Sequence, residues 1–173
     1  MTHLRAIEPE DLDMLYAIEN DSTIWDVSAT NVPYSRYVLH DYIAHATGDI
    51  YTDRQVRLVI EIADHQPIGL LDIFNFDPSN NRAELGIVIQ KPFRHHGYAL
   101  DVLEKVARYA TQTLHLHQLY AYVSIHNEAA FTLFKKAGWN TSATLAHWLF
   151  DGKEYCNAYL MQTFFEKTEG KVL

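Results

Sequence analysis

A single cysteine, Cys156, excludes an internal disulfide in this 173-residue chain. Basic residues are scarce: 14 Lys and Arg stand against 22 Asp and Glu, for a formal net charge of −8. No Lys- or Arg-rich run occurs, which counts against a nucleic-acid partner, because phosphate binding needs clustered cations. No apolar run reaches the length of a membrane span. Met1-Thr2-His3-Leu4-Arg5 lacks the apolar core of a secretory signal, so the expected setting is soluble and cytoplasmic. Internal repeats and low-complexity tracts are absent. What is present is ample apolar content, 48%, enough for one substantial core. The length suits a single domain over 1–173. The acidic balance suits a cationic substrate better than an anionic one.

Hydrophobic periodicity predicts an ordered mixture of strands and helices. Leu4 to Ile7 reads as a first strand. Glu8-Pro9-Glu10-Asp11 reads as a helix start, with proline near the first position and acids in the first turn. Tyr34 to His45 carries Tyr34, Val38 and Tyr42 on one helical face. Val56 to Ala63, Ile68 to Phe76 and Arg82 to Ile89 read as an antiparallel meander with turns at Asp64-His65-Gln66-Pro67 and Asp77-Pro78-Ser79-Asn80-Asn81. A helix from about Gly97 to Leu114 follows, then a strand at Leu119–Val123. A second helix covers Asn127 to Ala137, with Gly138 as its stop. Thr144 to Phe150 and Tyr155 to Phe164 form a closing hairpin about an Asp151-Gly152 turn. Strand, long helix, strand in the middle implies one parallel pair inside a mostly antiparallel sheet flanked by helices, an α+β fold.

Arg94-His95-His96-Gly97-Tyr98-Ala99 lies between the apolar run Leu85-Gly86-Ile87-Val88-Ile89 and the amphipathic stretch that begins at Leu100. The free N–H groups of a helix start carry partial positive charge and point outward. A glycine there lets a ligand approach the backbone. Together they predict an anion cradle suited to a diphosphate.

Three segments resemble the GCN5-related N-acetyltransferase (GNAT) family, and the likeness covers nearly the whole chain. Arg94-x-x-Gly97-x-Ala99 is similar to the family's pyrophosphate loop. Asn127-Glu128-x-Ala130, followed by Phe134-Lys135-Lys136-x-Gly138-Trp139, resembles its second block. Ala83-Glu84-Leu85-Gly86-Ile87 and Asp151-Gly152-Lys153-x-Tyr155-x-Asn157-Ala158 resemble the spermidine and ribosomal-protein acetyltransferase branch. The loop motif is short enough to arise by chance; its place between a strand and a helix, with the second block downstream, gives it weight.

The resemblance implies an acetyl-CoA-dependent N-acetyltransferase domain over 1–173, acting on a primary amine, with no metal. It implies a diphosphate held by amides of Arg94, His95, His96, Gly97, Tyr98 and Ala99, and pantetheine amides paired with edge groups of Ile87 and Ile89 as an added strand. A backbone N–H near Val88 is the candidate for polarising the carbonyl. Asn127 would reach the pantetheine arm, and Lys135 or Lys136 the 3′-phosphate, with solvated surface lysines the leading reading of both. Glu84 is the candidate general base, directly or through water, and Glu61 the second. Glu84 reads equally well as a structural carboxylate bonded to the neighbouring strand. Phe134 stands where many relatives carry a tyrosine credited with protonating the departing thiolate.

The acceptor is open at this stage. A small amine or polyamine is the leading reading, and a protein N-terminal amine the alternative. Spermidine enzymes of the branch place several acids around a Pro-Tyr pair that here is Ala29-Thr30-Asn31-Val32-Pro33-Tyr34-Ser35-Arg36, with none. Asp21, Asp26 and Asp41 read as solvated charges. Other classes are a catalytically silent acyl-CoA sensor, for which Phe134 argues, and an interaction module, against which the intact loop argues. His95-His96 and His115-x-His117 lack the cysteine or carboxylate that would complete a metal site. Trp25, Trp139 and Trp148 read as packing residues, with Trp25 also placed to line an acceptor cleft, and Tyr120 and Tyr122 as one face of a strand. Exposed strand ends leave room for a homo-oligomer.

Overall fold

The computed structural model describes residues 1–21 and 33–165. β1 (His3–Ala6) leads through a 3-10 turn at Pro9–Asp11 into α1 (Leu12–Glu19). Asp11 reaches back to the Glu8 N–H at 2.8 Å, so the predicted helix start becomes a separate tight turn. α2 (Arg36–His45) begins at Ser35, whose hydroxyl accepts from the Val38 N–H at 3.1 Å. The four-residue α3 (Ile50–Asp53), capped by Asp49, was not expected; it is too short to show a helical period. β2 (Val56–Glu61), β3 (Pro67–Asp77) and β4 (Arg82–Ile89) form the expected meander. α4 (Tyr98–Gln112), β5 (Gln118–Ser124) and α5 (Glu128–Lys136) follow, then β6 (Asn140–Phe150) and β7 (Tyr155–Phe164).

The seven strands order as β1-β2-β3-β4-β5-β7-β6. Among the described residues, β4 and β5 are the one parallel pair, and every other strand pairing is antiparallel. The last strand inserts between β5 and β6, leaving β6 at the edge. The loop between them is four residues, Asp151 to Glu154, rather than a two-residue Asp-Gly turn. The Asp151 carboxylate accepts from the N–H groups of Lys153 and Glu154, both at 2.9 Å, which organises the longer loop.

Side chains alternate between two faces of the sheet. One face packs on α4 and α5, with Leu71, Ile73, Ala83, Leu85, Val102, Val106, Leu119 and Met161 in its core. The other packs on α1 and α2 through Leu15, Ile18, Leu39, Ile43, Val59 and Leu70.

Two arginines pin α1 to that second face. Arg5 makes a bidentate contact with Asp11 at 2.7 and 2.8 Å and donates to Glu61 at 2.8 Å. Arg57 makes a bidentate contact with Asp72 at 2.6 and 2.9 Å and reaches Glu19 at 2.6 Å. On the α4 side, Asp101 accepts from the Thr2 N–H at 2.6 Å and from Lys105 at 2.7 Å. Burial pushes the Asp101 carboxyl up, but the bonds from Lys105 and Thr2 outweigh it and bring the pKa down to about 2. The start of α4 is thereby fastened to the start of β1.

Candidate functional site

β4 and β5 pair only through Arg82↔Gln118, Ala83↔Leu119 and Glu84↔Tyr120, and then separate. The open end of this wedge meets the N-terminus of α4. The chain turns there through a 3-10 turn at Lys91–Phe93, with His95 at φ 66° and Gly97 at φ 82°. Gly97 caps the helix in the left-handed region, where a glycine has no Cβ penalty. The Arg94 N–H goes to the Lys91 carbonyl at 3.3 Å. Among the described residues, no acceptor takes the N–H groups of His95, His96, Gly97, Tyr98 or Ala99. Five adjacent donors at a helix start fit a diphosphate. A Cβ built on Gly97 meets none of the described residues within 4 Å, which leaves the space above this loop clear of them.

The Arg94 side chain turns back, and its Nε donates to the Ile89 carbonyl at 2.8 Å. Its two Nη groups make no hydrogen bond among the described residues. The His96 ring meets the Arg94 carbonyl at 2.7 Å and stacks on Tyr98. Where α1 approaches the end of β4, Ile18, Asp21, Val88, Ile89, Lys91 and Arg94 line a cavity of about 210 Å³.

Backbone phase decides which β4 groups reach the wedge. The Gln90 N–H bonds the Ile68 carbonyl at 2.9 Å, so Gln90 faces Ile68 as a hydrogen-bonded pair. Such pairs alternate along an antiparallel ladder. Val88 therefore turns its N–H and C=O toward Leu70 on β3, its register partner. Of the amides near Val88, its own is thus turned away from the wedge. Ile87 and Ile89 turn theirs the other way, to the side β5 has left. The Ile89 carbonyl already accepts from Arg94, so Ile87 offers the freer edge.

Glu84 is opposite Phe74 on β3 and Tyr120 on β5, so the three side chains share the α1 face. Its carboxylate accepts from Asn75 Nδ2 at 2.9 Å, a bond to the neighbouring strand, and no cation among the described residues pairs with it. Burial raises its pKa, and the Asn75 bond only partly opposes this. Tyr120 and Tyr122 are raised by burial and then by the Glu84 charge. Their rings lie 5.7 Å apart, and Trp148 stands 5.2 Å from Tyr122. Trp148 reaches them from β6 because the β6–β7 register shifts between Leu145 and Leu149, with His147 at φ 51°. It is half exposed over Tyr122 and is not a packing residue of the core. Beyond Asn75, a cavity of about 540 Å³ is lined by Asp53, Arg54, Gln55, Phe74, Asn75 and Phe76. The Tyr120/Tyr122 alternation was the available signal for this wall. Trp148 gave none, because an irregular stretch of β6 aims it.

The other expected residues fall as follows. Asn127 ends the β5–α5 connection and caps α5, accepting from the Ala130 N–H at 3.0 Å. Phe134 is buried with its ring 4.6 Å from Trp139. Lys135 and Lys136 are exposed in the last turn of α5. Glu61 is engaged by Arg5 and, at 3.4 Å, by His65; the Arg5 hydrogen bond first of all holds its pKa down, which ties it to that ion pair. Trp25 and Asp26 lie outside the described residues.

Comparison with known proteins agrees with this geometry. The sequence model of the acetyltransferase (GNAT) domain matches residues 2–140. The chain is 29% identical over 163 residues to the spermidine N(1)-acetyltransferase of Escherichia coli strain K12, covering 93% of this chain and 84% of that protein. It resembles the crystal structure of Vibrio cholerae spermidine N-acetyltransferase in complex with CoA and spermine, with a TM-score of 0.84, 25% identity, and coverage of 94% and 95%. A dodecameric structure of the Vibrio cholerae enzyme matches with a TM-score of 0.79 at 25% identity, over 94% of this chain and 93% of that one. With a wedge-shaped sheet, a donor-rich helix start and a family match across most of its length, the chain belongs to the GNAT acetyltransferase family.

Proposed function

We propose that this chain transfers an acetyl group from acetyl-CoA to a primary amine of a polyamine, with Glu84 as the proton acceptor. The carrying observation is Glu84 itself: a partly buried carboxylate with no cation partner among the described residues, flanked by Tyr120 and Tyr122 where the sheet opens. Bound acetyl-CoA supplies a thioester whose carbonyl is open to an amine. The five N–H groups from His95 to Ala99, unpartnered among the described residues, fit its diphosphate, and the Ile87 edge fits its amide-bearing arm.

A polyamine arrives as an ammonium. Removing one proton at pH 7 costs about 4.6 kcal/mol for a pKa near 10.4. Glu84 attracts the cation first and then takes the proton, directly or through water. Its raised pKa brings the base closer to working pH. The Tyr120–Tyr122–Trp148 wall offers aromatic faces to the methylene chain and its charges. Burial of Phe134 against Trp139 leaves no hydroxyl at that position. A thiol pKa near 8.5 means the departing sulfur needs little help, so a silent sensor is not required by this residue.

The polyamine assignment rests on the named substrates of the Escherichia coli and Vibrio cholerae relatives. A protein N-terminal acceptor has no such support. Exposed Phe150 and Tyr155 on the closing hairpin, with the dodecamer of the relative, support self-association, and the bacterial relatives fit a cytoplasmic setting. The test is release of free thiol from acetyl-CoA with spermidine, spermine, amino acids and N-terminal peptides. Turnover confined to peptides, or binding of CoA with no turnover of any amine, would overturn the reading.

A further inference from the structure

We propose that Gly86 sets acceptor specificity: its bare backbone is the slot through which an unbranched aminomethylene group reaches the reacting centre, and which excludes α-branched amines. The inference rests on the reading above, that the Glu84 face is the acceptor side.

Gly86 lies between Glu84 and Val88 on the α1 face, opposite Asp72. It is the first residue of that face beyond the last β4–β5 pair, Glu84↔Tyr120. It therefore stands where the acceptor face meets the open edge of Ile87. Among the described residues, a Cβ built there meets only Phe74 Cε1 at 3.5 Å and Asp72 Cβ at 3.9 Å, both ordinary contacts with the adjacent strand. Nothing from α1, α2 or the closing hairpin comes within 4 Å. Its φ is not in the left-handed region. Neither conformation nor packing among the described residues demands glycine here, and glycine weakens a strand. The missing side chain leaves clear floor beside a carboxylate.

That floor is on the line of attack. A nucleophilic nitrogen must come within about 3–3.5 Å of the carbonyl carbon along an open approach. A terminal –CH2–NH3+ of a polyamine is as narrow as a primary amine can be. A peptide N-terminus carries a side chain and a carbonyl on the carbon next to nitrogen, and would meet Phe74 and Asp72 at the slot. The slot thus separates the two acceptor classes that share the fold.

The experiment compares wild type, Gly86→Ala and Gly86→Val. It measures thiol release with 1-aminobutane, 2-aminobutane and spermidine, the melting-temperature shift given by CoA, and calorimetric binding of spermidine to the CoA complex. Wild type should prefer 1-aminobutane to 2-aminobutane by roughly tenfold or more in kcat/KM. Spermidine binding should weaken by roughly tenfold in Gly86→Ala and roughly a hundredfold in Gly86→Val. The CoA shift should persist in both variants. Equal use of the two aminobutanes, or wild-type spermidine affinity in Gly86→Val, would overturn the proposal; so would loss of the CoA shift in Gly86→Ala. The Ala variant keeps the test open if Val impairs folding. Failure of the underlying reading looks different: Glu84→Gln would then leave the pH profile unchanged.

Discussion

Arg94 Nε donates to the Ile89 carbonyl at 2.8 Å, so the residue that opens the loop is tied to the end of the strand before it. This tie holds the following amides in a tight turn, facing out at the start of α4. A bond from a charged donor is worth about 1.5–3 kcal/mol, and part of that supports the loop geometry. Arg94→Ala should therefore weaken CoA binding by roughly 5- to 20-fold, read by calorimetry. The melting temperature without ligand should fall little, because the loop is at the surface. Unchanged CoA affinity would show that the turn stands without the tie.

Arg57 carries a heavier structural duty. It joins β2, β3 and α1 through Asp72 and Glu19, and its side chain is 20% exposed. Arg57→Ala would leave Asp72 without its bidentate partner inside the α1 face. The expected loss is about 3 kcal/mol or more in urea unfolding. Arg57→Lys should recover only part of it, since an ammonium cannot match the planar fork on Asp72 while reaching Glu19. Full stability in the lysine variant would reduce the contact to simple charge pairing.

Much of this architecture was legible in the sequence. β4 is bounded where its apolar run ends, and Gly138 stops α5 at φ 82° with the Trp139 N–H on the Phe134 carbonyl at 3.0 Å. The loop was legible because strand, glycine and amphipathic helix each leave a local pattern. What stayed hidden depends on long-range geometry. Insertion of β7 between β5 and β6 is a pairing choice that no single strand encodes. The direction of the Val88 amide follows from ladder phase, set by Gln90 and Ile68 across two strands. Trp148 comes over Tyr122 only through a bulge, and Glu61 is tied to Arg5, 56 residues away in sequence. Pattern reading locates elements well, but a site is made where elements meet.

Phe134→Tyr tests the departure from the family pattern. Phe134 is buried against Trp139, so a new hydroxyl must find a partner or cost about 1–3 kcal/mol of stability. If thiolate departure needs little acid help, kcat should change by less than roughly tenfold. A larger rise in kcat, measured with saturating amine and acetyl-CoA, would show that protonation of sulfur limits the natural chain.

Glu84→Gln separates the two roles open to this carboxylate, because they carry opposite signs. Burial raises its folded pKa above the unfolded value. The folded state then holds the proton longer, so stability is undiminished below the unfolded pKa and falls as pH rises through the folded one. Glu84→Gln removes that penalty, and its melting temperature relative to wild type should improve as pH rises above the unfolded carboxylate pKa of about 4.3. Activity should move the other way. As a base, Glu84 must be ionised, so wild-type kcat/KM should rise with pH through its raised pKa. In the variant that limb should vanish and the rate drop by roughly a hundredfold. A purely structural carboxylate would shift the stability profile alone and leave the shape of the rate profile intact.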